Sequence, residues 1–169
     1  ITNPPYLSGG AVGVKLAEYL KAYYPNSKAD LFACFLEKGA KMTITYGFSC
    51  MVTMQSWMFL SSFEKMRQNL LNMYTLNNLL HMENMVMGIA FGTAVSTFRN
   101  CCIPNFKGTY NHIALKDIVN DKPTSFPIPG NRFAQTSTTN FEKIPGSPVA
   151  YCVSEQLLSA FEGTKLGDI

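Results

Sequence analysis

Asn3, Pro4, Pro5 and Tyr6 follow one another directly after Ile1 and Thr2, and their types could do chemistry together. The Asn3 side-chain oxygen is a hydrogen-bond acceptor, and the Pro4 carbonyl is a second one beside it. Proline suits that place because it has no N–H and a fixed φ. Two consecutive prolines also push Asn3 and Pro4 out of helical geometry into an extended, preset turn. Tyr6 adds a flat face for stacking. Such a set suits an amino group carried on an aromatic ring, a poor nucleophile because its lone pair is delocalised into the ring. Drawing its N–H groups into hydrogen bonds turns the lone pair outward. The bland reading of the same residues is a loop that contains two prolines. Position favours chemistry, since Ile1 and Thr2 read as the end of a strand and a Gly-rich loop and amphipathic helix follow.

The elements that would position this turn are legible from periodicity. After the loop at 7–13, residues 15–24 put Leu16, Ala17, Leu20, Tyr23 and Tyr24 on one helical face, and Pro25 stops the helix. Ser27 with Asp30 forms a capping-box pattern that opens a second helix with Leu31, Phe32, Phe35 and Leu36 inward. Residues 48–54 are a short apolar run of the kind buried in a parallel sheet. Ser61 and Glu64 form another capping box, followed by Phe63, Met66, Arg67, Leu70 and Leu71 at helical spacing. Strands are expected over 75–82, 91–98 and 108–115. Alternating strands and helices argue for an α/β fold with a mostly parallel sheet, and the closing strands argue for an antiparallel edge. Pro and Gly among Ser, Thr and Asn at 120–147 read as a linker or extended arm. Ser147 and Pro148 then have the pattern that opens a helix through about Phe161.

Composition sets bounds. The 169 residues are 47% hydrophobic and 12% aromatic, enough for a buried core in one domain or most of one. The net charge of +3 permits a nucleic-acid partner without a basic cluster to argue for one. Cys34, Cys50, Cys101, Cys102 and Cys152 form no metal or disulfide pattern, and a reducing, cytoplasmic setting fits them best. His81 and His112 stand 31 positions apart without a ligand cluster, so no metal site is expected. Asp30, Glu37 and Glu83 read as cap, surface and strand-end residues. The charge-free run 42–63 holds too many Ser, Thr and Gln for a membrane span.

An Asn followed by two prolines and an aromatic resembles the catalytic signature of the amino-group methyltransferases, S-adenosylmethionine enzymes that methylate adenine in DNA. Four further stretches carry a closer likeness: residues 27–37 (SKADLFACFLE), 52–63 (VTMQSWMFLSSF), 91–99 (FGTAVSTFR) and 141–155 (FEKIPGSPVAYCVSE). Together, in order and over nearly the whole chain, they resemble the large adenine-specific methyltransferases of the BREX phage-defence systems, the PglX type. Cys152 stands where that family is expected to carry Trp, a departure that bears on local packing.

The resemblance implies the C-terminal half of a class I, Rossmann-like methyltransferase sheet, whose last strand inserts antiparallel beside its neighbours. Residues 1–119 would be the second half of the catalytic domain, 120–147 the arm, and 148–169 a helix leading to a target-recognition or accessory region. It implies that Asn3, Pro4 and Pro5 form the catalytic turn, with Asn3 and Pro4 polarising the target amino group. Tyr6 would stack on an adenine flipped out of double-stranded DNA, a role that needs only its ring. Phe91 would hold the base from its edge or other face, or else be a core residue at a strand start. Gln55, Ser56 and Trp57 would line the substrate cleft, with packing an equal reading for Trp57. The cofactor implied is S-adenosylmethionine. Asn3 would touch it, and most of its site is expected upstream of Ile1, because Gly9, Gly10 and Gly13 lack the G-x-G-x-x-G spacing. The chain, which begins without an initiator Met, is thus expected to be a piece of something longer, inactive by itself and prone to self-association. A non-catalytic module that binds DNA or partner domains is the alternative. So is the same chemistry on RNA or on protein glutamine.

Overall fold

The computed structural model describes residues 1–161. Two helices come first, α1 (Val14–Tyr23) and α2 (Leu31–Met42), and then β1 (Phe48–Met54). Short 3-10 turns at Gln55–Met58 and Ser61–Phe63 lead into α3 (Glu64–Met73), followed by β2 (Thr75–Met82), β3 (Thr93–Arg99) and β4 (Lys107–Ile113). A two-residue pair, β5 (Ile118–Val119) and β6 (Lys122–Pro123), precedes β7 (Phe133–Ser137), α4 (Thr139–Glu142) and α5 (Glu155–Ala160). Among the described residues no helix is long and apolar enough to cross a membrane.

The main sheet runs β1-β3-β2-β4-β7. Its strands are not mostly parallel, which corrects the expectation from element order. Strand β3 is antiparallel to both β1 and β2, β7 is antiparallel to β4, and β2 with β4 is the parallel pair. The reason is the insertion of β3 between β1 and β2, which converts one parallel neighbourhood into two antiparallel ladders. The resemblance implied an antiparallel insertion by the last strand; the inserted strand here is β3, inside the sheet, and β4 and β7 follow it. Thr2 adds a parallel bridge to Met51 on the far side of β1, with Thr2 N–H donating to Cys50 O at 3.1 Å and Val52 N–H to Thr2 O at 3.2 Å.

Directions then decide what meets at one edge. The carboxyl ends of Thr2, β1, β2 and β4 lie together with the amino end of β3, since Met54 and Met82 both stand opposite Thr93 and Met82 stands opposite Ile113. Asn3–Tyr6, Gln55, His81, Phe91 and His112 are therefore delivered to the same side of the molecule.

Apolar faces of α2 and α3 cover the sheet. Phe32, Leu36, Met66, Leu70, Trp57, Phe63, Leu76, Leu79, Phe98 and Tyr110 share one core. Helix α2 lies so close on β1 that a Cβ at Gly39 would fall 2.2 Å from Met51 Cε. Asp30, not Ser27, caps α2: Asp30 Oδ1 accepts from Phe32 N–H at 3.2 Å and from Leu7 N–H at 3.0 Å. The cap thereby also fixes the loop that leaves Tyr6. Ser27 is buried and donates to Glu37 Oε2 at 2.8 Å, and Phe35 faces outward.

The last third of the chain departs from its reading as an arm and a long helix. Residues 133–137 are the outer strand of the sheet, and Phe141, Val149 and Tyr151 are buried in the core. Ser147 and Pro148 do not open a helix, because Val149 N–H is drawn to Met58 O at 2.9 Å. The helix begins at Glu155, where the Ser154 side chain caps Leu157 N–H. The expected continuation beyond 161 lies outside the described residues. Arg67 holds this segment. Its buried guanidinium donates to Trp57 O (2.7 Å), Leu60 O (3.1 Å), Ser147 O (2.8 Å) and Gly146 O. Burial lowers its pKa, but a guanidinium starts so high that it stays charged.

Candidate active site

Where the partial strand at Thr2 ends, the prolines turn the chain outward. Pro4 is buried and Asn3 exposed. The single proton of the Tyr6 hydroxyl faces two acceptors, Asn3 Oδ1 at 2.8 Å and Val52 O at 3.1 Å, so one side chain links the turn to itself and to β1. Burial raises the Tyr6 pKa, so the hydroxyl remains a donor at neutral pH. Among the described residues no hydrogen bond reaches the Pro4 carbonyl. Asn3 Oδ1 has a second lone pair beyond the one Tyr6 uses. Two adjacent residues thus each keep an oxygen acceptor not fully used within the described residues.

The Tyr6 ring is half-buried. It meets Phe32 edge-on at 6.1 Å and Phe91 at 5.5 Å with the planes 73° apart. Phe91 is half-buried rather than a sealed core residue, and it sits in the stretch that enters β3. The fold therefore brings Phe91 to the Asn3–Tyr6 turn from a distant position in sequence.

Gln55 also arrives at this edge. Its backbone N–H donates to Gly92 O at 3.0 Å, and its side-chain oxygen hydrogen-bonds His81 Nε2. Trp57 does not line a cleft, which corrects that reading. The 3-10 turn after β1 swings it inward, where it is fully buried against Phe98 at 6.0 Å. Cys152 is exposed, so its departure from the expected Trp falls outside the core.

His81 and Tyr151 were not legible as site residues. The parallel register of β2 and β4 sets His81 opposite His112, with ring centroids 5.2 Å apart. The Tyr151 hydroxyl lies 3.0 Å from His81 Nδ1, and burial first, with His112 second, pushes the His81 pKa down to about 4. Burial also lowers His112, although Glu83 stands 3.4 Å away. An open groove of about 430 Å³ continues past His112, lined by Glu83, Lys116, Asn131 and Arg132. Among the described residues no three His, Cys, Asp or Glu side chains gather as metal ligands would. For His81 the advance signal was a histidine beside the apolar residues Leu79, Leu80 and Met82 of its strand. For Tyr151 it was the run IPGSPVAY.

Comparison with known proteins places this geometry. The family model described as Eco57I restriction-modification methylase matches residues 1–86. The chain is 35% identical over 171 residues to the adenine-specific methyltransferase PglX of Lacticaseibacillus casei (strain Zhang), covering 96% of this chain and 14% of that protein. It is 34% identical over 165 residues to the adenine-specific methyltransferase BrxX of Escherichia coli O9:H4 (strain HS), covering 95% of this chain and again 14% of the relative. The chain thus spans about one-seventh of the length of these curated relatives. A solved chain of a type I R-M system superposes with a TM-score of 0.55 at 17% identity, over 90% of this chain and 32% of the other. The modification subunit of a putative type I restriction enzyme from Vibrio vulnificus YJ016 gives 0.52 at 14% identity, over 72% and 25%. At such identities these two likenesses show the fold, that of restriction-modification methyltransferases.

Proposed function

Since this chain belongs to the Eco57I restriction-modification methylase family, we propose that it is part of an enzyme that methylates the exocyclic amino group of adenine in DNA. The observation that carries the proposal is Asn3 Oδ1 held by the Tyr6 hydroxyl, whose ring meets Phe91, with the next residue's carbonyl, Pro4 O, free of any hydrogen bond among the described residues. Asn3 and the Pro4 carbonyl accept the two N–H groups of the adenine amine and turn its lone pair outward. Tyr6 O–H holds Asn3 Oδ1 in place before the base arrives, so little reorganisation is left for the reaction. Tyr6 and Phe91 present ring surface to a base swung out of the duplex.

The polar groups around the Asn3 side chain are uncharged: the Tyr6 hydroxyl bonds its oxygen, and the Val52 carbonyl is that hydroxyl's other acceptor. That set fits a methyl donor whose sulfur is cationic, and Asn3 is the residue of this chain that would stand beside S-adenosylmethionine. When bound, the donor supplies an electrophilic methyl group. This chain's part is to present the nitrogen in line with it, by direct displacement and without a covalent enzyme intermediate.

The test uses the full-length protein, radiolabelled donor and duplex DNA, with digestion of the product to nucleosides. Label is expected in N6-methyladenine, and Asn3→Ala should abolish it while the protein keeps its far-UV circular dichroism and its affinity for DNA. Label on cytosine, RNA or protein instead, or near-wild-type transfer by Asn3→Ala, would overturn the reading.

A further inference from the structure

Gln55 sits where three strands end, and its surroundings leave its amide little freedom. A Cβ built on Gly92 would fall 2.4 Å from Gln55 Cδ, 2.5 Å from Nε2 and 2.6 Å from Oε1. The amide therefore occupies the space that any side chain at 92 would take. The Gln55 N–H donates to Gly92 O at 3.0 Å, so Gly92 is held by backbone and by packing at once.

The far side of the same amide is held by His81. Gln55 Oε1 can only accept, so His81 Nε2 must carry the proton of the bond between them. In the neutral ring Nδ1 is then the acceptor, and the Tyr151 O–H must donate to it at 3.0 Å. Tyr151 is itself fixed, stacked on Tyr110 with centroids 5.4 Å apart and planes 7° apart. The imidazole is packed by Phe59 at 6.0 Å and His112 at 5.2 Å. Tyr151, His81, Gln55 and Gly92 thus form a continuous chain, hydrogen-bonded as far as the Gln55 amide and packed from there onto Gly92. It runs from the core to the residue that follows Phe91.

We propose that His81 is a positioning residue for base capture, acting through Gln55 to fix Gly92 and with it the ring of Phe91 against Tyr6. The inference rests on the reading of Phe91 as a wall of the adenine site. It assigns Tyr151 the task of setting the His81 tautomer, and it gives Gly92 a reason to lack a side chain.

The direct probe is Gly92→Ala in the full-length protein. Gly92 does not have a positive φ, and its new Cβ meets the flexible end of a side chain, so the fold persists while the Gln55 amide is pushed off His81. Methyl transfer is assayed on a duplex bearing the site that the wild-type protein methylates, and base extrusion on a second duplex with 2-aminopurine in place of the target adenine. Gly92→Ala, Gln55→Ala and His81→Phe should each lower kcat/KM on the order of ten-fold, mostly through KM for DNA, and weaken the 2-aminopurine signal. Donor affinity, measured by isothermal titration with S-adenosylmethionine, should not change. The double variant His81→Phe with Gln55→Ala should be no worse than Gln55→Ala, because both break one path. His81→Gln, whose amide nitrogen can stand at the place of Nε2, should restore part of the loss.

Wild-type KM and 2-aminopurine signal in Gly92→Ala and His81→Phe would overturn the proposal. So would losses that add in the double variant, or that fall equally on donor binding. If those results came with a wild-type protein that methylates adenine and an inactive Asn3→Ala, this inference would fail while the function stood. If the wild-type protein did not methylate adenine, both would fall together.

Discussion

Two irregular, proline-bearing segments sit in the same fold and do opposite things with their polar groups. The turn at Asn3–Tyr6 keeps its acceptors available: Asn3 is exposed with one lone pair taken by Tyr6, and among the described residues no hydrogen bond reaches Pro4 O. The segment around Gly146 and Pro148 spends its polar groups internally. Arg67 takes the carbonyls of Gly146 and Ser147, Ser147 N–H goes to Ile144 O, and Val149 N–H goes to Met58 O. Proline content is the same kind of signal in both. What separates a reactive loop from a structural one is whether its donors and acceptors are already satisfied within the protein.

The largest effect should come from breaking the open segment. On the proposed function, Asn3→Ala removes one of two acceptors for the target amine, at about 3 kcal/mol or more, which is roughly 10²-fold in kcat. Steady-state methylation by the full-length protein checks it, and unchanged exchange protection in β1 would show that only chemistry was lost.

The satisfied segment should answer to structure instead. Arg67→Met keeps most of the buried volume but leaves the carbonyls of Trp57, Gly146 and Ser147 without a donor, Leu60 O keeping Phe63 N–H, at about 2 kcal/mol of local stability or more. Hydrogen exchange on the full-length protein should show faster exchange at Met58 and Val149, with kcat changed far less than by Asn3→Ala. A kcat as low as that of Asn3→Ala would mean that this segment takes part in the chemistry, and the contrast would collapse.

Acid should separate the two regions again. The unfolded chain takes up a proton on His81 near pH 6.5, and the folded chain only near 4, because burial holds the ring neutral. The unfolded state therefore binds more protons between these values. Stability is lost as pH falls from about 6.5 to about 4, by up to about 1.4 kcal/mol for each pH unit, with no further loss below that from this group. His112, also lowered by burial, works in the same direction. Exchange protection of β2, corrected for intrinsic rates, should drop between pH 7 and pH 5, and His81→Phe should flatten the drop. The Arg67 contacts, which do not titrate there, should hold.

Much of this frame was legible in the sequence, and the losses have physical reasons. The strand at 48–54 shows in its apolar run, and that at 75–82 was also expected. Strand direction does not, because side-chain pattern reports which face is buried and not which neighbour is bonded. Insertion of β3 turned an expected parallel sheet into a mainly antiparallel one. Trp57 was misplaced because a strand end predicts a rim position, whereas a single 3-10 turn rotates the next side chains inward. His81 and His112 looked unrelated at 31 positions apart, and only the register of β2 with β4 pairs them. Ser147 and Pro148 have the chemistry of a helix start, but the pull of Met58 O and Arg67 on that backbone outweighs it. Turn chemistry is local and readable from residue types. A satisfied acceptor depends on a partner elsewhere in the chain, which residue types do not give.

The smallest expected effect tests the open segment most finely. Stacking by itself needs only the Tyr6 ring, and on that basis Tyr6→Phe would be silent. The structure adds a second duty, since the hydroxyl holds Asn3 Oδ1 at 2.8 Å and anchors the turn to Val52 O at 3.1 Å. Asn3 is exposed, so water can replace the lost bond, and the penalty should be near that of one ordinary hydrogen bond, about 1 kcal/mol or roughly five-fold. That loss should fall on kcat, because the acceptor is less well placed when the amine is activated, while KM for DNA stays put. Tyr6→Ala should instead raise KM, since it removes the ring contacts with Phe32 and Phe91 as well. Steady-state kinetics of the two variants separates the roles. Equal, large effects on KM from both would assign the hydroxyl to substrate binding. No effect of Tyr6→Phe on kcat would mean that Asn3 needs no help in keeping its acceptor open, and the contrast with the Arg67 segment would sharpen further.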